Sequence, residues 1–208
     1  MSTPEKQQPE TTRLEDLWAQ GFGDDYVVRN LDAGEGRDAF WHGLLERLGP
    51  SSVLEIGCNV GANIRWIVDR VPAKAVFGVD INESALATVR QRYAVNAVWS
   101  PARRLPFRDR EFDLVFTAGV LIHQPEATLP LVMAEAVRTT HAYVLALEYF
   151  ADETVEVAYR GHSGALFKRD YGTLYSELFP ELELQETGTL GKDQGWDDVT
   201  WWLFRRTA

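Results

Sequence analysis

Between residues 52 and 204 the chain alternates short apolar runs of strand length with segments whose apolar residues recur at helical spacing. This alternation limits the possible folds sharply. A strand followed by a helical segment reaches the next strand by a crossover, and strands joined that way pair in parallel. Strands are expected at 52–56, 75–79, 97–99, 112–117 and 142–147. The run Phe112-Asp113-Leu114-Val115-Phe116-Thr117 is almost wholly apolar, as a central strand buried on both faces must be. Helices are expected over 37–48, stopped by Gly49-Pro50, and over 62–70, 84–93, 129–139 and 170–179, the last stopped by Pro180. After Glu148 the alternation lapses, and 149–170 reads as an inserted lid. Segments 182–187 and 199–204 then suit a terminal antiparallel hairpin. The expected architecture is α/β: five parallel strands and a hairpin in one mostly parallel sheet, with helices on both faces.

No repeat or low-complexity linker divides the 208 residues, which suit one well-buried domain over 13–208. Residues 1–12 are polar, with two prolines, and are expected to form a disordered tail. Residues 13–36 are expected to cover the site. A net charge of -10 argues against a partner gripped along its phosphate backbone. The arginines at 103, 104, 108 and 110 are interrupted by Asp109 and Glu111, so a solvated loop is the better reading than a nucleic-acid site. No apolar run is long enough to span a bilayer, no signal-peptide core is present, and the lone Cys58 cannot form an intrachain disulfide. The expectation is a cytoplasmic monomer or homodimer that meets neither membrane nor nucleic acid. No His/Cys/Asp cluster has metal-ligand spacing, so no metal is expected.

The turn Gly57-Cys58-Asn59-Val60-Gly61, between the first strand and a helix, carries the strongest chemical signal. Glycine there lets backbone approach a ligand at the carboxyl edge of the sheet. A dinucleotide fingerprint would need a second glycine where Asn59 stands. Asp80 ends the second strand 23 residues beyond Gly57, placed to accept both hydroxyls of a ribose, with Ile81 beside it. A strand-ending Asp also serves as a helix cap, so the pairing with the turn is what raises the functional reading.

Glu55-Ile56-Gly57-Cys58-Asn59-Val60-Gly61, an acid-x-Gly-x-x-x-Gly pattern, resembles the first motif of class I S-adenosylmethionine-dependent methyltransferases. Phe112 to Phe116 resembles their fourth-strand motif. The resemblance implies a Rossmann-like fold and S-adenosylmethionine as cofactor. Glu55 and Gly57 would border its amino and carboxylate groups, with Cys58, Asn59, Gly61 and Asn63 completing the turn. Ser100 and Ala102 would meet the adenine, since Pro101 stands where the family carries an Asp. Ala118 and Gly119 would lie beside the sulfonium. Tyr26 and Arg29, three apart on a helix, would fold over the cofactor with Arg29 at its carboxylate. Further signatures are Trp18, Phe22-Gly23-Asp24-Asp25-Tyr26, Arg29-Asn30, Gly119 to His123, Tyr159 to His162, Phe167 to Asp170 and Asp197 to Trp201. With these the chain resembles, from about Leu14 onward, the methylases associated with pseudaminic acid biosynthesis.

Methyl transfer needs alignment and exclusion of water, and a base only where the nucleophile must lose a proton. His123, after the fourth strand, is the first candidate base; a packed histidine at a helix start is the plainer reading. Glu148, at the end of the fifth strand, is placed to orient a hydroxyl or amine, or to form an ion pair. Tyr159 and His162 are secondary candidates. Residues 157–169 contain no acid but do contain Arg160, His162, Lys168 and Arg169, a local reversal of sign suited to a carboxylate or phosphate or else to neighbouring acids. Trp18, Phe22 and Tyr149 complete the expected substrate site. The basic cluster suits a small, anionic acceptor, and the resemblance implies an acidic sugar or a specialised-metabolite precursor. An NAD-dependent oxidoreductase on the same sheet and a non-catalytic binding module are the competing readings.

Overall fold

The computed structural model of the protein describes residues 10–207. In chain order its elements are α1 (Glu10–Ala19), α2 (Gly21–Arg29), α3 (Asp38–Leu48), β1 (Val53–Ile56), α4 (Ile64–Ile67), β2 (Val76–Asp80), α5 (Glu83–Arg92), β3 (Asn96–Trp99) and β4 (Phe112–Ala118), followed by α6 (Leu129–Thr139), β5 (Thr140–Glu148), β6 (Val155–Glu156), β7 (Phe167–Lys168), α7 (Tyr171–Leu178), β8 (Leu182–Leu190) and β9 (Val199–Arg206). Seven strands form one sheet in the order β3-β2-β1-β4-β5-β9-β8. The first five are parallel, and β9 runs antiparallel between β5 and β8. This is the expected sheet, with the terminal hairpin joined to its edge.

The local signals explain most element ends. Asn82 caps α5 by accepting from the Ala85 N–H at 2.8 Å, and Asp170 caps α7 by accepting from Thr173 at 2.9 Å. In α6 the buried residues Leu129, Val132, Met133, Ala136 and Val137 recur at i, i+3 and i+4 and make one apolar face. Two expectations change. Helix 62–70 shrinks to a single turn, Ile64–Ile67, flanked by irregular turns. Helix α1 begins at Glu10, so residues 10–12 of the expected tail are helical; the remainder of that tail lies outside the described residues. The segment expected as a lid contains the small antiparallel pair β6–β7 and a bridge between Tyr159 and His162.

Side chains alternate across the sheet into two cores. Leu54, Ile56, Val144 and Ala146 enter one, Val53, Leu145 and Leu147 the other. On β4 the register shifts between Phe112 and Leu114, so Phe112 joins the face of Val115 while Leu114 and Phe116 occupy the opposite one. Phe116 is fully buried, with its ring 4.7 Å from that of Trp41. Phe116→Ala is therefore expected to destabilise the fold by about 3–5 kcal/mol, measured by denaturant unfolding; a loss under about 1 kcal/mol would show that the site collapses around the smaller residue.

Candidate active site

The sheet reverses direction of winding between β1 and β4, and in open α/β sheets ligands bind beyond the carboxyl ends of the strands at that point. A cavity of about 200 Å³ lies there. Each of the first four strands contributes to its wall: Glu55 and the 57–59 turn from β1, Asp80 and Ile81 from β2, Ser100 and Ala102 from β3, Ala118 and Gly119 from β4. Leu14 and Trp18 of α1 and Tyr26 of α2 line it from above the strand ends. Gly57 has φ +72°, and a Cβ there would stand 2.4 Å from a methyl of Val120, so no larger residue fits the turn. Asp80 is held rigidly, with one oxygen accepting from the Asn59 N–H at 2.8 Å and the other from Asn82 N–H at 2.9 Å. Burial raises its carboxyl pKa, against the pull of those backbone donors.

Glu55 is the electrostatic centre of this cavity. It is 3 % exposed; one oxygen accepts from the Asn63 side-chain amide at 2.7 Å, and the other has no hydrogen-bond partner. Burial pushes its carboxyl up to about 8, opposed by Asn63 and by the charge of Arg37. Arg37 donates from Nη1 to the Asn63 side-chain oxygen at 2.9 Å and from Nε to the Gly195 carbonyl at 2.9 Å. Its guanidinium lies 4.0 Å from the centre of the Trp196 ring. The loops that carry these residues interlock, because a Cβ on Gly195 would fall 2.0 Å from the Glu35 carbonyl oxygen.

A second, smaller cavity of about 90 Å³ adjoins the first; Tyr26, Arg37, Ala118, Gly119 and His123 line both. Tyr149, Tyr159, Trp196 and Asp197 belong to the second alone. His123 is buried, its ring 4.4 Å from that of Trp18 and 5.3 Å from that of Tyr159. Its Nδ1 faces the Ala165 carbonyl at 2.5 Å, and a carbonyl only accepts, so the proton sits on Nδ1 and leaves the Nε2 lone pair free. Burial lowers its pKa to about 4, which keeps the ring neutral through the physiological range. Glu148 lies beneath this site rather than in it. Fully buried, it accepts from the backbone N–H groups of Val120 and Ile122 at 3.2 and 3.3 Å and so pins the loop that carries Gly119 and His123.

Residues 53–142 match the family model described as a methyltransferase domain. The fold is that of a class I methyltransferase. The chain superposes on 1,6-didemethyltoxoflavin-N1-methyltransferase of Burkholderia thailandensis with a TM-score of 0.73, at 18% identity over 100% of this chain and 94% of that one. That structure holds 1,6-didemethyltoxoflavin and S-adenosylhomocysteine. Magnesium protoporphyrin IX methyltransferase of Synechocystis, with S-adenosylhomocysteine bound, gives 0.71 at 13% identity, covering 95% of this chain and 100% of that one. By sequence, the methyltransferase GfsG of Streptomyces halstedii is 30% identical over 93 residues, which is 40% of this chain and 33% of that protein. The chain thus matches about a third of the length of this curated relative.

Within this methyltransferase fold the expected residues separate into those brought together and those kept apart. Glu55, Gly57, Cys58, Asn59, Asn63, Asp80, Ile81, Ser100, Ala102, Ala118, Gly119, Tyr26 and Trp18 converge on the larger cavity. Gly61 does not line it; its role is close packing, since a Cβ there would meet the Tyr93 ring at 2.9 Å. The Cys58 thiol is buried, and burial raises its pKa well above the ordinary value, so it is a packing group. Arg29 is exposed, stands over the rings of Phe22 and Tyr26, and lines neither cavity. Arg37, just before α3, lines both cavities instead. Phe22 packs on Trp18, Tyr159 and His162 behind the cavity wall.

The lid cations are also displaced from expectation. Arg160 is exposed over Tyr159, Lys168 stands over Tyr149, and buried Arg169 donates to the Gln124 carbonyl at 3.1 Å while stacking on Phe167. Neither they nor His162 line either cavity. Trp196 and Asp197, which do, follow Gly195 at a turn with no periodic signal; the cues to them are the acid pair Asp197-Asp198 after a Trp and the Asp197 to Trp201 signature.

A carboxyl whose pKa is raised on folding stabilises the folded state fully below its unfolded pKa, and that contribution is lost as pH climbs through the folded value. For Glu55 the window runs from 4.5 to about 8. Glu55→Gln is therefore expected to raise the melting temperature at pH 8 and to change it little at pH 4.5. Thermal scans at both values test this; a variant less stable than the parent at pH 8 would show that the ionised carboxylate is well accommodated in the fold.

Proposed function

We propose that the protein is an S-adenosylmethionine-dependent methyltransferase that acts on a small molecule held in the second cavity. The observation that carries this reading is the buried Glu55 carboxyl group with one oxygen unpartnered, set beside Arg37 at the end of β1. A buried, half-satisfied carboxylate costs stability unless a ligand completes it. An amino-acid end, with its ammonium toward Glu55 and its carboxylate toward Arg37, is the complement. Asp80 would accept from the ribose hydroxyls, and Ser100 and Ala102 would border the adenine. When bound, the cofactor supplies a methyl carbon already activated by positive sulfur.

The rest is positioning by this chain's own residues. Gly119, pinned through Glu148, keeps the wall between the two cavities free of side-chain bulk. Trp18 and Tyr26 cover the strand ends and limit access of water. His123 offers a neutral Nε2 that accepts a hydrogen bond from the acceptor, or its proton where the nucleophile must lose one. Tyr159 stands in the same cavity as a hydrogen-bond donor. His162, outside both cavities, has no such place. The resemblance to methylases associated with pseudaminic acid biosynthesis suggests an acidic sugar as acceptor, but in the fold Arg37 is the one Lys or Arg side chain among the residues lining the second cavity. A dinucleotide would need glycine where Asn59 stands, so the oxidoreductase reading has no comparable support.

Titration calorimetry with S-adenosylmethionine, S-adenosylhomocysteine and NAD tests the proposal. The two sulfur compounds are expected to bind and NAD is not; NAD binding alone would sink it. Asp80→Ala is expected to weaken S-adenosylhomocysteine by about 1–3 kcal/mol, the value of hydrogen bonds to a charged acceptor, in a variant shown by its melting transition to be folded.

A further inference from the structure

The second cavity has a chemistry of its own. The charged side chains among its lining residues are Arg37 and Asp197. The Arg37 cation is already engaged, by the Gly195 carbonyl, the Asn63 side chain and the Trp196 ring, with Glu55 close by. On the methyltransferase reading its charge also answers the carboxylate of the cofactor. Asp197 is exposed at the cavity edge and forms no ion pair among the described residues. Asp198, at φ +53°, turns the chain into β9 just after it. Asp197 is the one acid among the residues lining the cavity, and it faces the field of Arg37 across it.

Four aromatic rings line the same cavity, Tyr26, Tyr149, Tyr159 and Trp196, and each already has a cation of the chain over one face, Arg29, Lys168, Arg160 and Arg37 in that order. Burial, followed by the neighbouring acidic groups, raises the phenol pKa of Tyr26 and Tyr149, so both remain neutral and protonated. Neutral aromatic rings attract cations through their faces, and a nearby carboxylate adds to that attraction. An anionic acceptor would meet like charge at Asp197 and would have to share Arg37, which is already engaged.

We propose that the methyl acceptor is a compact amine whose nitrogen sits among Tyr26, Tyr149, Tyr159 and Trp196, next to the Asp197 carboxylate. This rests on the methyltransferase reading above. An ammonium bound there first gives one proton to water at the open edge; the lone pair so freed forms the N–C bond as the C–S bond breaks, and the positive charge passes from sulfur to nitrogen. The new cation arises where the carboxylate and the rings stabilise it, so the site favours the transition state over the neutral reactant. The nitrogen proton then leaves to water at the open edge beside Asp197.

The test uses the full chain saturated with S-adenosylhomocysteine and titrated by calorimetry with benzylamine, benzyl alcohol and benzoate, probes of similar size and different charge. Benzylamine is expected to bind at least about tenfold more tightly than either of the others, about 1.4 kcal/mol. The preference is expected to disappear in Asp197→Asn, titrated after its saturation with S-adenosylhomocysteine has itself been measured. A preference for benzoate or benzyl alcohol, no binding of benzylamine, or a preference that survives in Asp197→Asn overturns the amine proposal alone. Failure of S-adenosylhomocysteine to bind the parent chain overturns the underlying methyltransferase reading, and the amine proposal with it.

Discussion

One carboxylate held out of water organises the site. Glu55 is carried into the protein by a strand that is buried along its whole length, and only one of its oxygens is satisfied there. The surrounding structure holds it in place. Asn63 donates to Glu55 and accepts from Arg37 and from the Trp41 indole at 3.3 Å. Asn63 thus relays the charge of a loop in the N-terminal half to a strand at the centre of the sheet. Arg37 in turn ties that loop to the one that precedes β9. A cost borne at one buried group is offset by packing and hydrogen bonds from four separate parts of the chain.

The architecture is largely legible in the sequence. Parallel strands buried on both faces are near-continuous apolar runs, and β1, β2 and β4 are of that kind, so their positions, and the helix at 129–139, were plain. The turn after β1 was readable because a left-handed glycine backed by a second strand ending in Asp is a local pattern. Helix 62–70 was overestimated. Its apolar residues follow helical spacing, but the chain from 57 to 63 is occupied with the turn, and only one regular turn remains.

The site residues divide along the same line. Those within a few positions of a strand end were found, because the strand fixes their place at the carboxyl edge. On loops the pattern is mixed: Tyr159 lines the second cavity as expected, whereas Arg37 carries no local signal of its place. Arg29 and Arg37 are indistinguishable by local pattern, since each is a basic residue at the end of a helix in the same N-terminal region. Which of them reaches the cavity depends on how the 30–37 loop seats against Ala62 and Gly195, a long-range contact. The lid showed the converse error. Its cations form a true cluster in sequence, yet three of them stack on aromatic rings of their own region, and proximity along the chain said nothing about which way they face.

The two cavities share five residues, Tyr26, Arg37, Ala118, Gly119 and His123. A common wall means that their occupants do not bind independently. Any factor by which the first occupant tightens or weakens the second must act equally in the other direction, since the coupling is a single free energy viewed from either side. Arg37 gives that coupling a sign. An anionic group that neutralises its charge from one cavity would remove a positive field from the other, and two anionic guests would compete for the same guanidinium.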